Sequence, residues 1–240
     1  MVGAPFDIDY DAGWTKWGDM IKYSPAPFHR RRLILDLARR IDFESVLDVG
    51  CGPAELLRAF RRAFPSAALT GVDLSSGVVA SNRRSMPDAE FFAADVSVAP
   101  LPGQWDLVVC SEVIEHIPDY VAAVRHLRQM CRKHVIITVP SGRIFPIDRS
   151  MGHHQHFSST ELTTLLAGSG FRPIRLWRWG FPWHSLYKHL INLSPSAAMD
   201  RFGGSRYSTT DKIVARALTA LFYLNARHAG SQLVVLAEAH

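Results

Sequence analysis

The stretch VLDVGCGPAELL, Val46 to Leu57, restricts the fold of this chain more than any other. Val46, Leu47 and Val49 surround a single carboxylate, Asp48, and read as a buried strand. Gly50 and Gly52 follow at once and call for a tight turn. Pro53 suits the opening of the helix expected over residues 54–64, AELLRAFRRAF. A strand that runs through Gly-x-Gly into a helix belongs to a doubly wound sheet, where ligands sit at the carboxyl ends of the strands. The glycines allow close approach to the backbone, and the helix start offers free amides. A dinucleotide pyrophosphate would want those features, but Asp48 would repel it. Glu55 also stands where G-x-G-x-x-G places its third glycine, which disfavours a nicotinamide enzyme. Asp48 therefore points to a ligand that brings positive charge.

The rest of the chain supports the same architecture. Strand patterns at 45–50, 68–74, 90–95, 105–110 and 134–140 alternate with helical ones at 54–64, near 77–84 and at 121–131. The strands are nearly continuous in apolar residues, which implies a mostly parallel sheet covered on both faces. A helix near 159–168, a strand at 172–179 and a closing strand at 231–238 bring the expected total to seven strands. The expected fold class is α/β, a doubly wound seven-stranded mostly parallel sheet, Rossmann-like, with N-terminal and C-terminal lid segments. Residues 1–30 form an aromatic-rich cap, in which Pro25 and Pro27 argue against a long helix, so the first helix is expected from Arg31. Residues 31–179 form the core and 180–230 a lid insertion. The insertion carries its own helix, capped from Ser208 to Asp211, with Gly230 just beyond its end.

Composition narrows the setting. Cys51, Cys110 and Cys131 have no paired spacing, which fits a reducing compartment and speaks against a zinc ribbon. The N-terminus shows no basic-then-apolar leader pattern, and no apolar run reaches the length of a membrane span, so a cytoplasmic location is expected. The formal charge is +5, with arginines clustered at 30–32, 39–40, 61–62 and 83–84. None of these clusters is interleaved with aromatics, so solvated helix faces explain them better than a nucleic-acid surface does.

Two further acids end the strands after Asp48. Asp73, in GVDLS, is placed to accept hydrogen bonds from ribose hydroxyls, and Asp95, in AADV, to meet an adenine amino group. An adenosine joined to a cationic amino acid describes S-adenosylmethionine. With WDLVVCSEVIEHI and HVIITVP following in order, the set resembles the class I S-adenosylmethionine-dependent methyltransferases over about residues 33–180. That resemblance implies Asp48, Gly50, Cys51 and Gly52 at the methionine end, Asp73 and Leu74 at the ribose, Asp95 and Val96 at the adenine, and Ser111 beside the methionine portion. Ala54 stands where the family often has a third glycine, and a slightly tighter turn is expected there.

The acceptor side is read from two clusters, Glu112 to His116 and Met151 to Phe157. If a helix starts at Glu112, then Glu112, Glu115 and His116 approach one face. The EVIEHI stretch resembles ubiquinone-type O-methyltransferases. It is also similar to small-RNA 2′-O-methyltransferases, a resemblance that would give Glu112, Glu115, His116 and His153 or His156 a magnesium or manganese ion. The favoured reading takes His116, His153 and His156 as base candidates with no metal, since loops concentrate catalytic groups. Trp177, Trp179, Phe181, Pro182, Trp183, His184 and Tyr187 are expected to help roof an apolar acceptor pocket. The expected function is transfer of a methyl group to a small molecule, at a hydroxyl, by a monomer or homodimer. A metal-dependent RNA ribose methyltransferase, a small-molecule N-methyltransferase and a non-catalytic cofactor-binding module are the alternatives.

Overall fold

The computed structural model describes residues 18–196 and 207–240. Seven strands form one sheet in the order β3-β2-β1-β4-β5-β7-β6. They are β1 (Ser45–Val49), β2 (Ala68–Asp73), β3 (Glu90–Ala93), β4 (Trp105–Ser111), β5 (Cys131–Pro140), β6 (Phe171–Trp179) and β7 (Gln232–Ala239). The first five pair in parallel, whereas β7 runs antiparallel between β5 and β6. The expected seven-stranded α/β sheet is therefore present. Its strand order reverses between β1 and β4, the place where open sheets of this type leave a crevice.

The alternation within β1 explains how Asp48 comes to lie in that crevice. Val46 joins the apolar layer on one face, and Leu47 and Val49 join the layer on the other. Asp48 shares its face with Val46 and stands at the strand's carboxyl end, in register with Gly71 of β2 and Val109 of β4. Helices α2 (Pro25–Ala38) and α3 (Glu55–Ala63) bury Leu33, Ile34, Leu37, Leu57 and Phe60 in the first layer. Helices α5 (Tyr120–Met130) and α7 (Ser159–Gly168) bury Val124, Leu127, Leu162 and Leu166 in the second.

Several element boundaries differ from the sequence expectation. A short helix α1 (Gly18–Tyr23) precedes α2, and α2 begins at Pro25 and not at Arg31. Both prolines fall in its first turn, where the helix needs no amide from them, so they start the helix that they were expected to forbid. The part of the cap holding Tyr10, Trp14 and Trp17 lies outside the described residues. Helix α4 (Ser76–Ser85) follows β2, and α6 (Pro146–Ser150) follows β5. Within the insertion, α8 (Trp183–Ile191) precedes α9 (Thr209–Phe222). The Ser208–Asp211 capping box opens α9, but α9 ends at Phe222, well short of Gly230. Gly230 packs instead against the Trp179 carbonyl, 2.1 Å from where a Cβ would stand.

Candidate functional site

The ligand loop is assembled by its own backbone. Gly50 and Cys51 both donate to the Val72 carbonyl, at 2.8 and 3.0 Å. Gly52 donates to Asp73 Oδ2 at 2.8 Å, and Ser75 donates to Asp73 Oδ1 at 3.0 Å. Asn82 closes the other side, giving a hydrogen bond to the Gly52 carbonyl at 2.7 Å. Gly50 has a φ of +69°, and a Cβ there would lie 2.5 Å from a Val113 methyl. Glycine is required at that position on both counts. Ala54, at the expected third-glycine position, takes a left-handed φ of 60° and is fully buried.

A cavity of about 610 Å³ opens over this loop. Every cofactor-site residue read from the sequence lines it: Asp48, Gly50, Cys51, Gly52, Asp73, Leu74, Asp95, Val96 and Ser111. Asp48 is 3% exposed. Burial lifts its pKa to about 8, and the neighbouring Asp73 carboxylate pushes the same way. Burial also pushes the Cys51 thiol up, so it stays protonated, and Asn82 lies against its sulfur. Asp95 is exposed just past the end of β3, where its Oδ1 accepts from both the amide and the hydroxyl of Ser97. It thus caps the turn at Ser97, and it lines the cavity as well.

The acceptor side differs from the expected helical face. Residues 114–116 form a single 3-10 turn, and Glu112 precedes it in a left-handed conformation, φ +58°. Glu112 therefore does not continue a helical face with Glu115 and His116. Its Oε1 accepts from Thr138 at 3.0 Å and from Gln232 at 2.6 Å, and its Oε2 lies 3.6 Å from the Arg30 guanidinium. The Thr138 hydroxyl gives its only proton to Glu112, so Ser111 donates to Thr138 across 2.8 Å. Glu115 is fully buried, and neither carboxylate oxygen has a hydrogen-bond partner among the described residues. Burial holds it well above the usual carboxyl range, with the Glu112 carboxylate adding to the effect.

The three histidines taken as base candidates do come together. The His116 and His153 rings meet edge to face at 4.7 Å, and the His153 and His156 rings at 5.3 Å. His153 Nδ1 lies 3.1 Å from His156 Nε2, and His156 Nδ1 lies 3.2 Å from the Gly142 carbonyl. His116 and His153 line the cavity, while His156 stands behind them. Burial lowers the pKa of each, and His153 reaches about 2 because His116, His156, Lys188 and Arg30 all oppose a charge there. Two overlapping triads bring one ligand-type atom per residue within 4.8 Å: Glu115, His116 and His153, and Asp148, His153 and His156. Either arrangement has the donors to hold a cation, but Asp148 is already engaged by Lys188 at 3.0 Å and by the Phe145 amide at 2.8 Å.

Asp148 and Lys188 were not singled out in the sequence. They lie forty positions apart, on α6 and α8, and only the fold brings them together. The lid aromatics divide. Trp177 and Trp179 are core residues, Trp183 packs against the same layer and Phe181 is exposed, so only His184 and Tyr187 line the cavity. Trp179 is sandwiched between His29 and His184, with ring centroids 5.4 and 5.0 Å away.

Comparison with known proteins agrees with this fold. Among curated relatives, trans-aconitate 2-methyltransferase of Escherichia coli O7:K1 is 28% identical over 113 residues, 46% of this chain and 45% of that protein. The chain thus spans less than half the length of the curated relatives it matches. Among solved structures, the N-methyltransferase NodS of Bradyrhizobium japonicum WM9, with S-adenosyl-L-homocysteine, superposes with a TM-score of 0.58 at 13% identity, covering 91% of this chain and 90% of its own. The [4+2]-cyclase SpnF superposes at 0.59 with 18% identity, covering 87% of this chain and 80% of its own. At such identities these structures speak for the fold alone. The family model described as "Methyltransferase domain" matches residues 26–176, from the start of α2 into β6, and the chain belongs to that family.

Proposed function

We propose that the chain is an S-adenosylmethionine-dependent methyltransferase acting on oxygen in a small molecule. One observation carries the reading: Asp48, Asp73 and Asp95 converge on one cavity, beside a glycine loop already closed by its own hydrogen bonds. Asp48 meets the cationic methionine end, Asp73 the ribose and Asp95 the adenine amino group. Asp73 holds the loop through the Gly52 amide on one oxygen and the Ser75 amide on the other. Methyl transfer from a sulfonium is an in-line displacement, so the loop and cavity act mainly by positioning.

The acceptor end favours oxygen over a cationic amine. Its carboxylates are engaged, Glu112 by Thr138, Gln232 and Arg30, and Asp148 by Lys188, while burial disfavours a charge on Glu115. His116 and His153 present neutral imidazoles there instead. The ubiquinone-type branch and a hydroxyl acceptor are the finer parts of this reading. Relatives and neighbours named for trans-aconitate and N-methyl transfer show how widely the acceptor varies on related chains. Thermal unfolding with added ligands tests the cofactor. S-adenosylmethionine and S-adenosylhomocysteine at a hundred times their Kd should raise the midpoint, reflecting about 2.7 kcal/mol of linkage. NAD should leave it unmoved; the reverse pattern would remove the assignment.

A further inference from the structure

A second cavity, of about 340 Å³, adjoins the first, and Lys188 lines both. The loop after β5, the end of β6, α8 and the turn before β7 enclose it. Its charged lining has one sign: Arg143 from the loop, Arg178 from β6 and Lys188 from α8. No aspartate or glutamate among the described residues lines it. Phe145 gathers the cations, with the Arg143 guanidinium 5.7 Å and the Lys188 ammonium 5.5 Å from its ring centroid. The His189 ring meets the same phenyl edge to face at 5.0 Å.

Lys188 is paired, with Asp148 at 3.0 Å, whereas Arg143 and Arg178 have no carboxylate partner among the described residues. Three cations against the single Asp148 carboxylate leave an excess of two positive charges. Neutral donors stand beside them. The hydroxyls of Ser141, Ser185 and Ser231 line the same groove, and that of Ser141 meets no described partner. The Gly142 amide is also unengaged among the described residues, and a Cβ at Gly142 would meet nothing within 4 Å. The loop therefore presents its backbone to open space.

We propose that this groove binds a phosphoryl group, which is the anionic end of the methyl acceptor. The proposal rests on the methyltransferase reading and narrows its substrate class to phosphorylated small molecules. A phosphate monoester is a compact dianion, which matches the excess of two charges. Guanidinium forks take two oxygens at a time, and hydroxyl and amide donors suit the third. A single carboxylate would leave one cation uncompensated. Because Lys188 belongs to both cavities, an acceptor held here by its charge can extend into the cavity that His116 and His153 line. Binding energy gained at such a remote group then serves to position the reacting atom.

Calorimetric titration of the full chain, at constant ionic strength and about pH 8, tests the groove with dianionic probes. The probes are phenyl phosphate, glucose 6-phosphate, inorganic phosphate and succinate. At least one monoester should bind saturably, and more tightly than inorganic phosphate or succinate. Arg143→Ala and Arg178→Ala, both at exposed positions, should each weaken it about tenfold, as loss of a charge-assisted hydrogen bond does. Neither variant should change the affinity for S-adenosylhomocysteine. No monoester binding, unchanged monoester affinity in either variant, or tighter succinate would overturn the proposal. Equal affinity for inorganic phosphate and both monoesters would make this a free-phosphate site and overturn the acceptor assignment. Displacement of the monoester by S-adenosylhomocysteine would place it in the cofactor cavity and overturn the proposal too. Failure of S-adenosylhomocysteine to bind the wild type would remove the methyltransferase reading alone, with the anion titration still readable, so the two failures are distinguishable.

Discussion

Asp48 is the residue on which the proposed function turns, because a buried carboxyl gains most from a cation beside it. With its pKa lifted to about 8, the empty protein holds it mostly protonated at pH 7. A cationic ligand end binds the ionised form, so affinity should rise with pH, by up to tenfold per unit between pH 6 and 8, and then level off. Calorimetric titration with S-adenosylhomocysteine across that range measures it, and Asp48→Asn should flatten the profile. A flat wild-type profile would mean that Asp48 does not face the ligand's charge. Gly50 gives a second test at this scale. Gly50→Ala adds a left-handed alanine and a collision with Val113, whereas Gly142→Ala, at φ +84°, adds the strain with nothing inside 4 Å. Urea unfolding should show Gly50→Ala costing about 2–4 kcal/mol and Gly142→Ala about 1–2. Equal losses would contradict the tight packing of the loop on Val113. The strand-end acids were legible in the sequence because strand, glycine and carboxylate are adjacent there. Asp148 and Lys188 were not, since a lone acid and a lone lysine forty positions apart carry no local signal.

Among the elements, the strands were readable because buried parallel strands must be apolar on both faces. The helix starts were harder. Prolines at 25 and 27 read as breakers, but the first turn of a helix tolerates them, and that distinction depends on where the helix begins. Helix α2 also hides His29, which packs against Trp179 of β6 and donates from Nε2 to the Thr219 carbonyl of α9. A histidine joining a helix, a strand and a lid helix in this way cannot be recognised from its neighbours in sequence. Burial lowers its pKa to about 4, and that of His184, on the other side of Trp179, to about 3. In the unfolded chain both titrate near 6.5, so the unfolded state binds more protons once the pH drops below that value. Stability from each is present above pH 6.5 and is lost as pH falls toward the folded values. Asp48 and Glu115, raised in the fold, press the other way. The readout is therefore the difference between wild type and His29→Phe. That difference should shift against wild type by roughly 2 kcal/mol between pH 7 and pH 5. An unchanged difference would show that His29 is not held neutral.

At the scale of the molecule, the cofactor half and the acceptor half are built by different rules. The cofactor half lies on β1 to β4, where a parallel sheet fixes strand ends and loops to a common edge, so its residues follow from pattern. The acceptor half draws on α1, α2, the turn after β4, the loop after β5 and α8, whose side chains meet only through tertiary packing. That is why His184 and Tyr187 reach the cavity while Trp177 and Trp179, equally prominent in sequence, fill the core. The arginine clusters follow the same division: Arg30 and Arg31 turn into the cavity, while Arg61 and Arg83 tie loops through carbonyls of Ala67, Asp88 and Phe91. The central claim is that this single cavity is an S-adenosylmethionine site. Calorimetric titration of the wild type and of Asp73→Ala with S-adenosylhomocysteine tests it most directly. The account predicts saturable binding at one site per chain, weakened in Asp73→Ala by about 1–3 kcal/mol through loss of charged hydrogen bonds. No saturable binding, or equal affinity in the two proteins, would contradict it.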